Sequence, residues 1–126
     1  MIKVLLVDDL PAVLLGLRMR LAIEHDLIVV GEAEDGLAAL AQAQAQRPDV
    51  VLMDVEMPRM DGIAATAALR AALPRIAVVL LSLYDDRATR ERARQAGAAA
   101  FVAKQEADRV LPAVIRQAAG RASSEF

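Results

Sequence analysis

Val50-Val51-Leu52-Met53 is an uninterrupted apolar run that follows Pro48-Asp49 and closes on a carboxylate, Asp54. A strand with no polar residue on either side has no face to give to water, and such strands belong to parallel sheets covered by helices. In open sheets of that kind the ligand crevice lies beyond the carboxyl ends of the strands, which is where Asp54 falls. A lone aspartate after a strand also suits a turn or a helix cap. The weight of the reading therefore depends on what the other strand ends carry.

Further apolar runs at Ile2 to Val7, Leu27 to Val30, Ile76 to Leu81 and Ala99 to Ala103 alternate with helical patterns. Those patterns lie near Pro11 to Glu24, Gly36 to Gln46, Gly62 to Leu73, Arg87 to Ala96 and Asp108 to Ala119. Pro11 suits a first helical position, Pro48 and Pro74 stop the helices before them, and Gly97 and Gly120 suit C-terminal caps. Leu27 to Val30 gives way to Gly31-Glu32, as expected of an edge strand. The repeat Ala41-Gln42-Ala43-Gln44-Ala45-Gln46 reads as helix, since both residue types are good helix formers. Alternation of this sort predicts an α/β fold: one parallel sheet of five strands with right-handed crossovers and helices on both faces.

A chain of 126 residues with 56% hydrophobic composition fits one domain that buries roughly two thirds of its unfolded surface. Its formal net charge of -2 gives no basic stripe for direct binding to nucleic acid. With no cysteine and one histidine, a zinc site is not expected. Met1-Ile2-Lys3-Val4 leads straight into a strand pattern, and no apolar run approaches the ~20 residues of a membrane span. A cytoplasmic location and no membrane association are the expectation.

Asp8-Asp9 follows Val4-Leu5-Leu6-Val7 directly and so leaves the sheet at the same edge as Asp54. If the first and third strands are neighbours, three carboxylates share one small volume, which is unfavourable unless a cation offsets them. An oxygen-only ligand set favours Mg²⁺, with Mn²⁺ as the alternative. Asp8-Asp9 also suits an N-cap ahead of Pro11, and one aspartate can serve both purposes. The fourth and fifth strands end at Ser82 and Lys104, adding a hydroxyl and an ammonium. Together the set suits a phosphoryl group on an aspartate, with Asp54 as carboxylate nucleophile.

These residues carry a resemblance. Val7-Asp8-Asp9, Asp54-Val55-Glu56-Met57-Pro58-Arg59-Met60-Asp61-Gly62, Leu81-Ser82 and Phe101-Val102-Ala103-Lys104 make the chain resemble a CheY-like response-regulator receiver domain from about Ile2 to Ala119. The resemblance implies a single flavodoxin-like (βα)5 domain with a five-stranded parallel sheet of order 2-1-3-4-5, with Asp54 as the phosphoacceptor and Asp8, Asp9 and the backbone carbonyl of Glu56 helping it hold Mg²⁺. It implies that Ser82 and Phe101 are switch residues, that Lys104 pairs with a phosphoryl oxygen, and that the donor is a histidine kinase or phosphotransfer partner. Glu56 and Tyr84 stand where such families tune the loss of the phosphoryl group. Such a domain promotes its own phosphorylation and dephosphorylation but is not otherwise an enzyme. On phosphorylation the face around Arg87 to Ala96 and Phe101 to Gln105 is expected to change shape.

Leu10-Pro11 and Leu27-Ile28-Val29-Val30-Gly31-Glu32-Ala33 are similar to receivers fused to a LuxR-type helix-turn-helix output domain. Residues 1–120 are then the receiver, and residues 121–126 begin a linker. DNA would be reached only through the missing output domain, which implies control of transcription. Gln105 stands where many receivers have a proline after the lysine. In the first helix Val13, Leu17 and Leu21 form one apolar stripe, and Leu15, Met19 and Ile23 form another. The second stripe, with Val114, is a candidate homodimer surface. Three rivals remain: an aspartate-nucleophile phosphatase, a flavodoxin-like nucleotide module, and a receiver-like interaction module that works without phosphorylation. The first needs a cap for which there is little room. The second needs a phosphate cradle where Asp-Asp-Leu-Pro stands, and the intact acid set argues against the third.

Overall fold

The structure, a computed structural model, describes residues 1–124. Its elements run β1 (Ile2–Val7), α1 (Pro11–Ala22), β2 (Leu27–Ala33), α2 (Gly36–Gln46), β3 (Val50–Asp54), α3 (Gly62–Ala72), β4 (Ala77–Ser82), α4 (Arg87–Ala96), β5 (Ala100–Ala103) and α5 (Ala107–Ser124). A 3₁₀ turn, Lys104–Glu106, joins β5 to α5. All strand pairings are parallel, in the order β2-β1-β3-β4-β5. The fold is the flavodoxin-like (βα)5 one that the resemblance implies.

The central strands are apolar throughout, yet their residues divide by parity between two cores, because successive side chains point to opposite faces. Val4, Leu6, Val50, Leu52, Val79 and Leu81 pack with Leu14 and Leu21 of α1 and Leu111 and Ile115 of α5. Leu5, Val7, Val51, Met53, Val78 and Leu80 pack with Ala39 and Ala43 of α2, Ala65 and Leu69 of α3, and Ala93 of α4. The small residues on α2 and α3 let those helices approach the sheet closely.

Two local expectations are corrected. The second strand does not stop before Gly31 but continues to Ala33, because the register slips by one residue between Val4 and Leu5, which face Val29 and Gly31. Such a bulge lets an edge strand continue past a glycine. Gly120 is no cap: α5 runs through it to Ser124. Residues 125–126 of the expected linker lie outside the described residues. Pro112, a residue that a helix tolerates best in its first turn, stands inside α5, five residues beyond Ala107. Its ring nitrogen cannot donate to the Asp108 carbonyl four residues back. Arg20 Nε of α1 donates to that carbonyl instead, at 3.0 Å.

Elsewhere the turn chemistry is as read, with Gly97 capping α4 at φ 99°. Arg47, at φ 50°, caps α2 just before Pro48. No helix among the described residues is long and apolar enough to cross a membrane.

Candidate functional site

Sheet register alone brings the acids together. Val7 pairs with Met53, so Asp8 and Asp54 are the next residues out of two adjacent strands. Asp54 in turn faces Leu81, and Ser82 faces Ala103, which places Ser82 and Lys104 at the same edge. The loop after β3 is held against that edge by Asp61-Gly62. Asp61 caps α3 by accepting the Ala64 N–H at 2.8 Å. A Cβ on Gly62 would lie 2.2 Å from the Asp54 carbonyl oxygen, so only glycine lets α3 start there.

Asp8, Asp54 and Ser82 are buried, and Lys104 is mostly so. Lys104 Nζ lies 3.1 Å from Asp54 Oδ1 and 3.8 Å from Asp8 Oδ2. Asp8 Oδ1 accepts the Leu10 N–H at 2.9 Å, which ties the start of α1 to the acid pair without a side-chain N-cap. Asp8 Oδ2 is buried and has no hydrogen-bond partner. Ligand oxygens of Asp8, Asp9 and Asp54 all lie within 4.8 Å of one another.

Burial holds the Asp54 carboxyl well above its ordinary range, at about 6, although the Lys104 hydrogen bond and charge pull it down. Burial likewise raises Asp8, against the Leu10 N–H and Lys104. Three carboxylates around one ammonium leave uncompensated negative charge in a water-poor corner. An orphaned carboxylate oxygen beside two further acids is the donor set that a hard divalent cation takes. The residues present fit such an ion.

The sequence-predicted residues divide clearly. Asp8, Asp9, Asp54, Ser82 and Lys104 converge. Phe101 sits apart on β5, partly buried against the core, with the Arg90 guanidinium 4.8 Å from its ring centroid and paired to Asp85. Tyr84 is 63% exposed, and its backbone N–H donates to Ser82 Oγ at 3.0 Å. Leu15, Met19 and Ile23 are exposed on α1, away from the core that Leu14 and Leu21 enter, and Val114 is half-buried.

Two contacts were not read from sequence. The Glu56 side chain accepts the Ser82 hydroxyl at 2.6 Å and the Leu83 N–H at 3.1 Å. Arg90 stacks on Phe101 from a helix whose arginine-rich sequence signals only solvation. Neither follows a spacing rule, since each depends on how two separate loops approach.

Comparison with known proteins agrees with this geometry. A family model described as the response regulator receiver domain matches residues 4–116. The chain is 39% identical over 118 residues to a Bacillus subtilis transcriptional regulatory protein, YxjL, covering 94% of this chain and 54% of that protein. It is 35% identical over 116 residues to the Staphylococcus aureus response regulator protein VraR, covering 92% and 56% respectively. The chain thus spans about half the length of the curated relatives it matches. Among solved structures, the signal receiver domain of a Mycobacterium tuberculosis response regulator, NarL, superposes with a TM-score of 0.84 at 36% identity, over 98% of both chains. The response regulator domain of Thermotoga maritima CheB gives 0.89 at 32% identity, over 95% of this chain and 97% of that one.

Proposed function

The chain belongs to the response regulator receiver domain family, and from that premise we propose that Asp54 accepts a phosphoryl group from a histidine kinase, a phosphotransfer protein or a small phosphodonor. The observation that carries this reading is the convergence of Asp54, Lys104 and two further acids at one sheet edge, with a buried carboxylate oxygen that accepts no hydrogen bond. In the reaction an Asp54 Oδ attacks phosphorus. The bond from phosphorus to the donor's nitrogen or oxygen breaks as the new O–P bond forms, and the leaving group keeps the electron pair.

Asp8, Asp9, Asp54 and the Glu56 backbone carbonyl would hold Mg²⁺ or Mn²⁺, which when bound offsets charge on phosphoryl oxygens. Lys104, already 3.1 Å from Asp54 Oδ1, pairs with another of those oxygens, and Ser82 donates a hydrogen bond to a third. The new dianion biases a two-state element: the loop after β4 follows Ser82, Phe101 turns inward, and the face of α4, β5 and α5 changes shape. The chain is thus a stoichiometric switch, not an enzyme that turns over a separate substrate. Its relatives' names as transcriptional and response regulators support an output through a DNA-binding domain. A cytoplasmic location goes with an intracellular kinase donor. The exposed Leu15, Met19 and Ile23 stripe is where a second copy would dock, with the half-buried Val114 of α5 as a further candidate.

Intact-mass measurement after incubation with acetyl phosphate and Mg²⁺ tests the chemistry. One phosphoryl adduct is expected, absent from Asp54→Ala and absent when the cation is chelated. An adduct that persists in Asp54→Ala would place the acceptor elsewhere, and none under any metal condition would leave a phosphorylation-independent interaction module as the better reading.

A further inference from the structure

Glu56 makes contacts that acceptor chemistry does not use. Its two carboxylate oxygens reach from the loop after β3 to the end of β4, where Oε2 accepts a hydrogen bond from the Ser82 hydroxyl at 2.6 Å and Oε1 accepts the Leu83 N–H at 3.1 Å. The same hydroxyl oxygen accepts the Tyr84 N–H at 3.0 Å. Ser82 is fully buried, so the contacts of its hydroxyl are not ones that water replaces without loss.

A serine hydroxyl has one proton to donate. While that proton is directed at Glu56, Ser82 has none for an oxygen on Asp54. Leu83 is held by the same carboxylate, so the loop that must follow Ser82 is anchored at its first residue as well. We infer that Glu56 is a positioning residue that latches Ser82 and the start of the β4–α4 loop in the unphosphorylated arrangement. This rests on the reading of Asp54 as phosphoacceptor. The latch and the phosphoryl-bound arrangement compete for one hydroxyl, so whatever stabilises the first weakens capture of the second. Hydrogen bonds to a carboxylate are the stronger kind, and losing this one corresponds to about a tenfold change in an equilibrium constant.

The experiment compares wild type, Glu56→Ala, Glu56→Gln, Ser82→Ala and the Glu56→Ala/Ser82→Ala double variant. Calorimetry with Mg²⁺ and beryllofluoride, a phosphoryl mimic, reads affinity at Asp54. Hydrogen exchange at the Leu83 amide, in protein free of metal and mimic, reads the latch itself. The inference expects Glu56→Ala to bind beryllofluoride about tenfold more tightly, with Glu56→Gln between it and wild type because one acceptor oxygen remains. It expects the gain to vanish when Ser82 is already alanine. It also expects faster Leu83 exchange in Glu56→Ala, with the α3 amides unchanged.

Unchanged affinity in Glu56→Ala overturns the inference. So does a tightening that survives undiminished in the Ser82→Ala background, because Glu56 would then act only through its charge. If no form binds beryllofluoride, the acceptor reading fails, and the Leu83 amide still decides whether the latch exists: faster exchange in Glu56→Ala supports it and unchanged exchange removes it.

Discussion

Asp54 sits where a carboxylate is costly to keep charged. It is 2% exposed, and burial raises its carboxyl from 3.8 to about 6 even with Lys104 alongside. Between those pH values the unfolded chain has lost a proton that the folded chain retains, so this group's contribution to stability falls as pH rises through that window. At neutral pH the full cost applies, on the order of 3 kcal/mol with the Lys104 contact already included. Asp54→Asn keeps the shape and removes the charge. In chelator-containing buffer at pH 7 it is expected to raise the urea midpoint by that stability difference, and to lose the advantage as pH approaches 4. A midpoint below wild type at pH 7 would show that the Lys104 pair outweighs desolvation. Addition of Mg²⁺ should narrow the gap, since a cation held by folded Asp8, Asp9 and Asp54 stabilises wild type by mass action. The acids were legible in the sequence because each ends an apolar run, and register fixes which run ends are neighbours. Glu56 was legible only as a side chain near the acceptor. Its grip on Ser82 joins residues 26 positions apart across two loops, and no periodicity encodes that distance.

At the scale of elements the same contrast holds. Strand and helix alternation was plain because buried strands are apolar runs and turn residues punctuate them. Ends were less plain: β2 passes Gly31 by means of a bulge, and α5 passes Gly120. Pro112 shows why, because a residue that should break a helix is accommodated by a donor from another element. Arg20 Nε supplies the Asp108 carbonyl at 3.0 Å, while Arg20 Nη1 is steadied by Glu24 at 3.1 Å. Arg20→Met keeps most of the stem and removes the donor, and it should cost about 1 kcal/mol. In a Pro112→Ala background α5 can satisfy Asp108 itself, so the same change should cost clearly less. A double-mutant cycle by urea unfolding checks this, and strictly additive effects would mean that Arg20 stabilises the protein only through its charge. Arg116 strengthens the same seam by pairing with Glu24 at 2.6 Å and Asp26 at 2.8 Å, which drives the Asp26 carboxyl down to about 2.

Across the whole molecule, α1 and α5 form one layer whose two helices both originate at site residues. Asp8 Oδ1 holds the backbone of Leu10 just before α1, and α5 follows Lys104 through a single 3₁₀ turn. A dianion that draws in Lys104 therefore acts on the starts of both helices. The outer side of α1 carries Leu15 and Met19, with Ile23 at its C-cap, at 48%, 63% and 69% exposure, spaced four residues apart so that they continue one face. The inner side is already satisfied by Leu14 and Leu21, so core packing gives the outer stripe no reason to be apolar. Burial of that stripe against a second copy would offset the cost of exposing it. Light scattering should then show the mass doubling when beryllofluoride and Mg²⁺ are added, and Met19→Glu should remain monomeric under the same conditions. Because Met19 contributes little to the core, its thermal midpoint should stay within about 0.5 kcal/mol of wild type in stability terms. A Met19→Glu protein that dimerises as readily as wild type would move the interface off α1. A wild type that dimerises equally without beryllofluoride would separate self-association from the chemistry at Asp54.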